Sequence, residues 1–167
     1  IGGAANVTVT FHETPQDAQF GTNAVGPLYS NINQWTQIIY VRVESNLAPC
    51  YDTVELQLIV NPTPVATAPA PIEVCDENAD GIGTFNLTVR EDQILGCLDA
   101  ALHTITYHLT EASAIAGENP ITNVLAFNNT DINTQTIWVR VTIDATGCSD
   151  VVPLVLIVNP LPAVPFP

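Results

Sequence analysis

The sequence predicts an all-β fold of tandem β-sandwich repeats, and three observations support this prediction. A closing stretch occurs twice, as residues 36–64 and 134–162, at a constant offset of 98 that also relates Cys50 to Cys148. A unit of about that length is the size of an ordinary small domain. Short runs of Val, Ile and Thr alternate with polar residues, and 13 Pro and 9 Gly separate these runs.

The internal repeat also predicts the domain boundaries. Residues 1–64 correspond to the C-terminal part of one repeat, and residues 65–71 form a Pro- and Ala-rich linker that is extended and semi-rigid. Residues 72–162 form a complete repeat, and residues 163–167 begin the next linker. We therefore expect the chain to be a piece of a longer protein.

The first elements that the two copies share are a strand and a short helical turn. Alternating residues predict strands at 8–11 and 104–107. Capping Thr residues and following Gly residues predict helical turns at 14–21 and 110–117. The offset between the copies then grows from 96 to 98, so the second copy carries a two-residue insertion, which is expected in an exposed loop.

The later strands are expected to form most of the core. Within residues 137–143 the aliphatic side chains at odd positions face the core, and Trp138 and Arg140 face outward rather than forming a stacking pair. Residues 151–158 are nearly all apolar, which predicts burial on much of both faces. Pro153 is then expected near the start of the strand or on a sheet edge.

The second copy alone has an opening segment. Residues 72–75 and 84–88 have strand patterns, an acidic loop joins them, and residues 89–95 have a short helical pattern. The counterparts in the first copy would precede residue 1. The opening strands of the first repeat are therefore missing, and we expect its core to be incomplete if the segment stands alone.

The charge of the chain argues against two classes of partner. The chain has 17 acidic residues, three Arg and no Lys, and its formal net charge is −14. Nucleic acid is excluded because binding it needs basic residues at the phosphates. Acidic membrane surfaces are disfavoured for the same reason. The sequence has no run of about 20 apolar residues, so it does not predict membrane insertion.

The most specific local motif is an acidic loop with the spacing of a calcium site. Asp76, Asn78 and Asp80 place oxygen ligands at alternate positions before a Gly, as in the first half of an EF-hand loop. Leu87 stands at the twelfth position, which excludes an EF-hand. Glu91, Asp92 or Asp150 could complete a different calcium site. The alternative is a tight turn in which Asp and Asn side chains bond nearby backbone amides.

Four cysteines without zinc spacing indicate an oxidising compartment. If the first and last strands of a sandwich run side by side, Cys75 and Cys148 meet, and this disulfide is the favoured pairing. Cys50 would then pair with a residue upstream of the segment, and Cys97 is left unassigned. A Cys97–Cys148 bond is the alternative.

Two histidines, His12 and His108, occupy equivalent strand positions opposite the core face. The only other histidine is His103. We therefore expect solvated sheet positions rather than a metal site or a pH switch.

The order of these motifs resembles a known family of repeats. The relevant stretches are Val74–Gly81, Phe85–Thr88, Thr106–Thr110, Ile137–Val141, Gly147–Cys148 and Leu156–Pro160. Together they are similar to the tandem repeats of SprB-type gliding-motility adhesins and related type IX-secreted bacterial surface adhesins. The resemblance covers essentially the whole chain. Typical repeats carry two cysteines, matching Cys75 and Cys148, and Cys97 departs from that pattern.

This resemblance implies tandem immunoglobulin-like β-sandwich repeats that are secreted and displayed on the outer cell surface. It implies as partners the neighbouring repeats of the same chain, the type IX secretion and gliding machinery, and an extracellular polysaccharide or substratum. It also implies an O-glycosylation signal at Thr53, within Asp52-Thr53-Val54.

The expected function is a non-catalytic structural and adhesive repeat segment of a large filamentous cell-surface adhesin. A nucleophile and a base do not recur together in the two copies, so the sequence does not predict an enzyme. Calcium is the one cofactor considered. Glycan-binding repeats, with Tyr29, Trp35, Tyr40 or Trp138 lining a shallow groove, are one alternative. An accessory β-sandwich module of a secreted polysaccharide-acting enzyme is another, and completion of the first repeat by a strand from another chain is a third.

Overall fold

The structure is a computed structural model in which residues 6–162 are described. The chain forms two compact units, Ile1–Asn61 and Pro62–Pro167. Strands dominate both units, and all helices are short. The all-β prediction is therefore confirmed. Within the described residues, no helix has the length and apolar character needed to cross a bilayer.

The first unit is a three-stranded antiparallel sheet with one helix. Its elements are β1 (Val7–His12), α1 (Pro15–Phe20), β2 (Thr36–Ser45) and β3 (Tyr51–Ile59). The strand order is β1-β2-β3, so β3 lies at an edge. Val9 lies opposite Val43 in the β1–β2 pair.

The second unit repeats this arrangement and adds an opening segment. Its elements are β4 (Ile72–Asp76), β5 (Thr84–Phe85), a 3-10 turn (Leu87–Arg90), α2 (Glu91–Leu95), a second 3-10 turn (Ala100–Leu102), β6 (His103–His108), α3 (Glu111–Ala116), β7 (Phe127–Asn128), β8 (Thr134–Ile143) and β9 (Ser149–Pro160). The main sheet has the order β4-β9-β8-β6, and β5 pairs with β7 in a small second sheet. Among the strand pairs of the described residues, only β4–β9 is parallel.

The core of the second unit lies between the main sheet and its opening segment. One face of β8 and β9 supplies the buried side chains Ile137, Val139, Val141, Val152, Leu154, Leu156 and Val158. Phe85, Leu87 and Ile94 pack against them from the opening segment. This alternation confirms the core face predicted for β8.

The predicted burial of β9 on much of both faces is met fully on one face and partly on the other. The even positions are buried, whereas Val151, Val155 and Ile157 are only half-buried and Pro153 is exposed. The pairing explains the proline, because β4 contacts β9 only from Leu156 onward. Pro153 therefore lies where β8 is the one paired strand, as expected for a residue that cannot donate to a ladder.

The predicted helical turns are confirmed together with their caps. The Thr14 hydroxyl accepts a bond from the Asp17 N–H, and the Thr110 hydroxyl accepts one from the Ser113 N–H. Gly117 ends α3 in the left-handed conformation at φ 70°, where a side chain would be strained. The expected strand at 84–88 is shorter than predicted, because the Asn86 side chain accepts from the Thr88 N–H and starts a 3-10 turn.

Candidate functional site

A polar framework recurs in both units beneath the helical turn. His12 and His108 are fully buried, so their predicted solvated positions are wrong. His108 Nδ1 lies 2.9 Å from the Glu118 carbonyl oxygen, and Nε2 lies 2.9 Å from the Thr106 hydroxyl. His12 makes the same two contacts in the first unit. Both ring nitrogens are thus engaged within the fold, which assigns these histidines a structural role.

An arginine in each unit holds the helical turn to the sheet. Arg140 Nη1 donates to the carbonyl oxygens of Ala114 and Ile115, at 2.9 and 2.7 Å. Arg42 makes the same pair of bonds to α1, and its guanidinium also lies 3.6 Å from the centroid of the Tyr51 ring. In each unit the helix therefore packs against the sheet face opposite the core, where the arginine bonds its carbonyls.

The acidic loop forms a tight turn whose carboxylates bond the backbone. Asp76 is buried, and its two oxygens accept from the N–H groups of Asp80 and Gly81 at 3.2 and 2.9 Å. Asp80 accepts from the Ile82 N–H at 2.7 Å and from the Asn78 side-chain amide at 2.7 Å. These are the contacts of the Asx-turn alternative.

Asp150 and Glu91, two of the residues considered as further calcium ligands, have their contacts elsewhere. Asp150 belongs to the first residues of β9, whereas Asp76 lies opposite Pro160 at its far end. Glu91 accepts a bond from the Tyr107 hydroxyl at 3.0 Å. Burial, with a further contribution from Glu91, raises the pKa of Tyr107 well above its usual range. Within residues 6–162 no three His, Cys, Asp or Glu side chains are grouped as a metal site.

Asn129 anchors the acidic loop, and sequence reasoning missed it. Its side-chain amide donates to the carbonyls of Gly81 and Asp131, at 2.9 and 2.7 Å, and its oxygen accepts from the Gly83 N–H at 2.7 Å. The residue is buried. Its counterpart Asn31, at the repeat offset of 98, was the available signal.

The cysteines of the second unit lie at opposite ends of one strand pair. Cys75 lies opposite Asn159 near the end of β9, whereas Cys148 directly precedes the first residue of β9. At about 3.3 Å per residue, β9 separates them by roughly 35 Å. A disulfide needs Cα atoms about 6 Å apart. A Cys75–Cys148 bond within one unit is therefore a wrong prediction, and the cause is the parallel direction of β4.

Three of the four cysteines are exposed. Cys50, Cys75 and Cys97 are free thiols in the structure, so the alternative Cys97–Cys148 bond is not formed either. Cys50 lies directly before β3, at the position that corresponds to Cys148 before β9. Each unit thus presents a cysteine at the same end of its closing strand.

The chain enters the second unit at the Cys148 end. The Ala66 N–H donates to the Asp150 carboxylate at 3.0 Å, and the Thr67 N–H donates to the Ile94 carbonyl at 2.9 Å. The chain then runs through β4 to Cys75, next to the end of β9. Cys148 therefore marks the entry end of the unit and Cys75 marks its exit end.

The aromatic residues considered for glycan binding do not line one groove. Tyr40 lines a shallow groove on the first unit with Glu13, Pro15 and Gln57. The Tyr29 hydroxyl is bonded to Glu13 and Gln37, and Trp35 is half-exposed in a turn of the same unit. Trp138 belongs to the second unit, opposite His108. Thr53, the predicted glycosylation residue, is exposed on β3 opposite Arg42.

These features define a class of protein built from small all-β units in tandem. In each unit a histidine and an arginine connect the sheet to the helical segment, and a cysteine precedes the closing strand. The chain belongs to the Flavobacterium inter-domain disulphide bond domain family, which matches residues 1–64 and 71–162. A search of curated proteins found no match to the chain.

Proposed function

We propose that this chain is a non-catalytic, structural repeat segment of a filamentous adhesin that is secreted through the type IX system and displayed on the outer cell surface. The units are immunoglobulin-like repeats, and disulfides between successive units lock the array. The far ends of the filament contact polysaccharide or the substratum, and the repeats act as the spacer.

The observation that carries this proposal is the placement of the cysteines at opposite ends of the second unit. In a tandem array the exit end of one unit is joined by a peptide bond to the entry end of the next. A cysteine at each end therefore has its natural partner in the neighbouring unit. The family description, which names an inter-domain disulphide bond, supports the same arrangement.

The proposed register pairs Cys75 of one unit with the Cys148 equivalent of the unit that follows. Cys50 and Cys148 would each then pair with the exit cysteine of the preceding unit. Within residues 1–167 this register leaves Cys75 and Cys50 without a partner unit, which agrees with their free thiols. Cys97 takes no part in it.

A chain extended by one further unit tests this register. Residues 62–167 are repeated directly after Asn159, so that Cys75 is followed by a copied Cys148 in the natural spacing. After folding under oxidising conditions, peptide mapping without reductant should find a link between Cys75 and the copied Cys148. Cys75→Ser in the original unit should abolish the link, and Cys97→Ser in the same unit should preserve it. Pairing of Cys75 with Cys97, or no bond, would refute the register.

Surface display needs a separate experiment in the source bacterium. Antibodies raised against this segment should label intact cells, and the label should disappear when type IX secretion is inactivated. Label that is confined to permeabilised cells would refute the localisation without affecting the disulfide register.

A further inference from the structure

We propose that a groove beside Arg140 in the second unit binds an aromatic side chain from a basic segment of a partner polypeptide. The first unit has the equivalent arginine, Arg42, and covers it with an aromatic ring of its own. The second unit keeps the arginine in the same position and lacks that ring. The place of the ring is therefore open to another molecule.

The first unit shows what covers the arginine when the site is filled from within. The guanidinium carbon of Arg42 lies 3.6 Å from the centroid of the Tyr51 ring, and Nε donates to Glu44 Oε2 at 3.1 Å. Tyr51 and Glu44 lie opposite each other on β3 and β2. With both contacts in place, Arg42 is only 7% exposed.

The second unit replaces both covering residues with short hydroxyl side chains. Ser149 is the counterpart of Tyr51 and Thr142 is the counterpart of Glu44, at the offset of 98, and the two again lie opposite each other. The Thr142 hydroxyl accepts from Arg140 Nε at 3.2 Å. No aromatic ring of residues 6–162 lies over Arg140, which is half-buried. The face of the guanidinium is therefore left without its cover.

Arg140 is nevertheless held in a fixed position. Its Nη1 donates to the carbonyls of Ala114 and Ile115, and its Nε donates to Thr142. Bonds from two different nitrogens fix the plane of the guanidinium. A cation that is already fixed loses little conformational freedom when a ring stacks on it, which favours binding.

The groove next to this guanidinium has a volume of about 280 Å³. It is lined by residues of α3, β8 and the start of β9, namely Glu111, Ile115, Arg140, Ser149, Asp150 and Val151. Two of its walls are more apolar than in the first unit, because Ile115 corresponds to Gln19 and Val151 to Thr53. Apolar walls beside an open cation favour an aromatic ring as the occupant.

The charge around the groove indicates which aromatic segment fits. Glu111 and Asp150 both line the groove, and Glu111 stands where the first unit has Pro15. The whole chain carries a formal net charge of −14. These charges repel an acidic ligand and attract a basic one. The occupant is therefore a tyrosine or tryptophan that has Lys or Arg beside it.

The test titrates the isotopically labelled full chain with tyrosinamide, which carries a phenol ring and an ammonium group. Saturable NMR shifts should appear at the amides of residues 115 and 149–151. Cyclohexylalaninamide has the same charge without an aromatic ring, and it should bind roughly fivefold more weakly. N-acetyltyrosine keeps the ring and is an anion, and it should also bind more weakly than tyrosinamide.

Two variants of the groove leave Arg140 in place. Ser149→Tyr supplies the ring found in the first unit and should abolish binding. Val89→Tyr is the matched control, because it adds an exposed tyrosine on the opening segment, outside the groove, and should bind like the unchanged chain. Ile115→Gln together with Val151→Thr gives the walls of the first unit and should weaken binding severalfold. Trp138 fluorescence checks that each variant is folded.

Three outcomes would overturn the proposal. Equal binding of tyrosinamide and cyclohexylalaninamide would show that the ring is not recognised. Undiminished binding to the folded Ser149→Tyr variant, or to the wall variant, would place the ligand outside the groove. Binding of N-acetyltyrosine as tight as that of tyrosinamide would refute the basic partner.

Discussion

Truncating one leucine at equivalent positions of the two units should have unequal effects on stability. Leu154 is completely buried in β9, whereas Leu56 on β3 is 39% exposed. The substitution Leu→Ala removes the same atoms at both positions. Any difference in the free energy of unfolding therefore reports how completely the rest of each unit buries that face of its sheet.

The expected magnitudes follow from burial. At Leu154 the lost transfer free energy is about 2 kcal/mol, and the cavity left in a closed core raises the total cost to about 3 kcal/mol. At Leu56 about three-fifths of the transfer term applies and no closed cavity forms, so the cost is about 1 kcal/mol. Leu154→Ala should therefore exceed Leu56→Ala by about 2 kcal/mol.

Each unit carries a single tryptophan, which makes the assay specific. Trp35 reports the first unit and Trp138 the second. Urea unfolding of Leu56→Ala in a Trp138→Phe background, and of Leu154→Ala in a Trp35→Phe background, measures each cost against its own parent. Equal costs would refute the argument that the first unit has an uncovered core.

Three further predictions concern polar groups. Arg140→Lys should lower the melting temperature of the second unit, because one ammonium cannot reproduce both the Nη1 bonds to the Ala114 and Ile115 carbonyls and the Nε bond to the Thr142 hydroxyl; an unchanged melt would contradict this role. Hydrogen bonds from Thr14, Asn23 and Thr22 lower the pKa of Asp17. The stability that ionised Asp17 adds to the first unit is therefore present at neutral pH and is lost as the pH falls through the lowered pKa. Asp17→Asn should flatten the acid side of a plot of that stability against pH. Thermal midpoints with calcium and with chelator should agree, because the Asp76 oxygens already accept two backbone amides; a higher midpoint in calcium would establish an ion.

Features encoded within a few residues could be predicted from the sequence. Thr110 and Gly117 bracket α3 because capping depends on local backbone geometry. The inward face of β8 follows from strict alternation. The turn at Asp76 was one of two interpretations of the same spacing, and only the contacts separate them.

Errors arose where contacts between distant segments decide the structure. His108 was expected in solvent because its strand pattern does not reveal that α3 covers that face. The disulfide prediction failed because β4 runs parallel to β9, and strand direction depends on the path of the whole unit. Asn129 was missed because its partners, Gly81 and Gly83, lie more than 40 residues away.

The parallel β4–β9 pair gives the proposed disulfide register a mechanical consequence. Under that register, a covalent path enters one unit at Pro62, leaves through Cys75, enters the next unit at its Cys148 equivalent and follows the closing strand to its Asn159 equivalent. This path crosses two units with residues 62–75 and 148–159, which together span at most about 90 Å when extended.

Without disulfides, two repeats at the offset of 98 could extend to roughly 650 Å. Much of the disulfide-linked path already lies in β4 and β9, which run side by side in the same direction. Load would therefore pass along strands that have little length left to gain, and the rest of each unit would lie outside the path. Under the proposed register, the closing stretch and its cysteine would together form half of this route, which gives a physical reason for their joint recurrence.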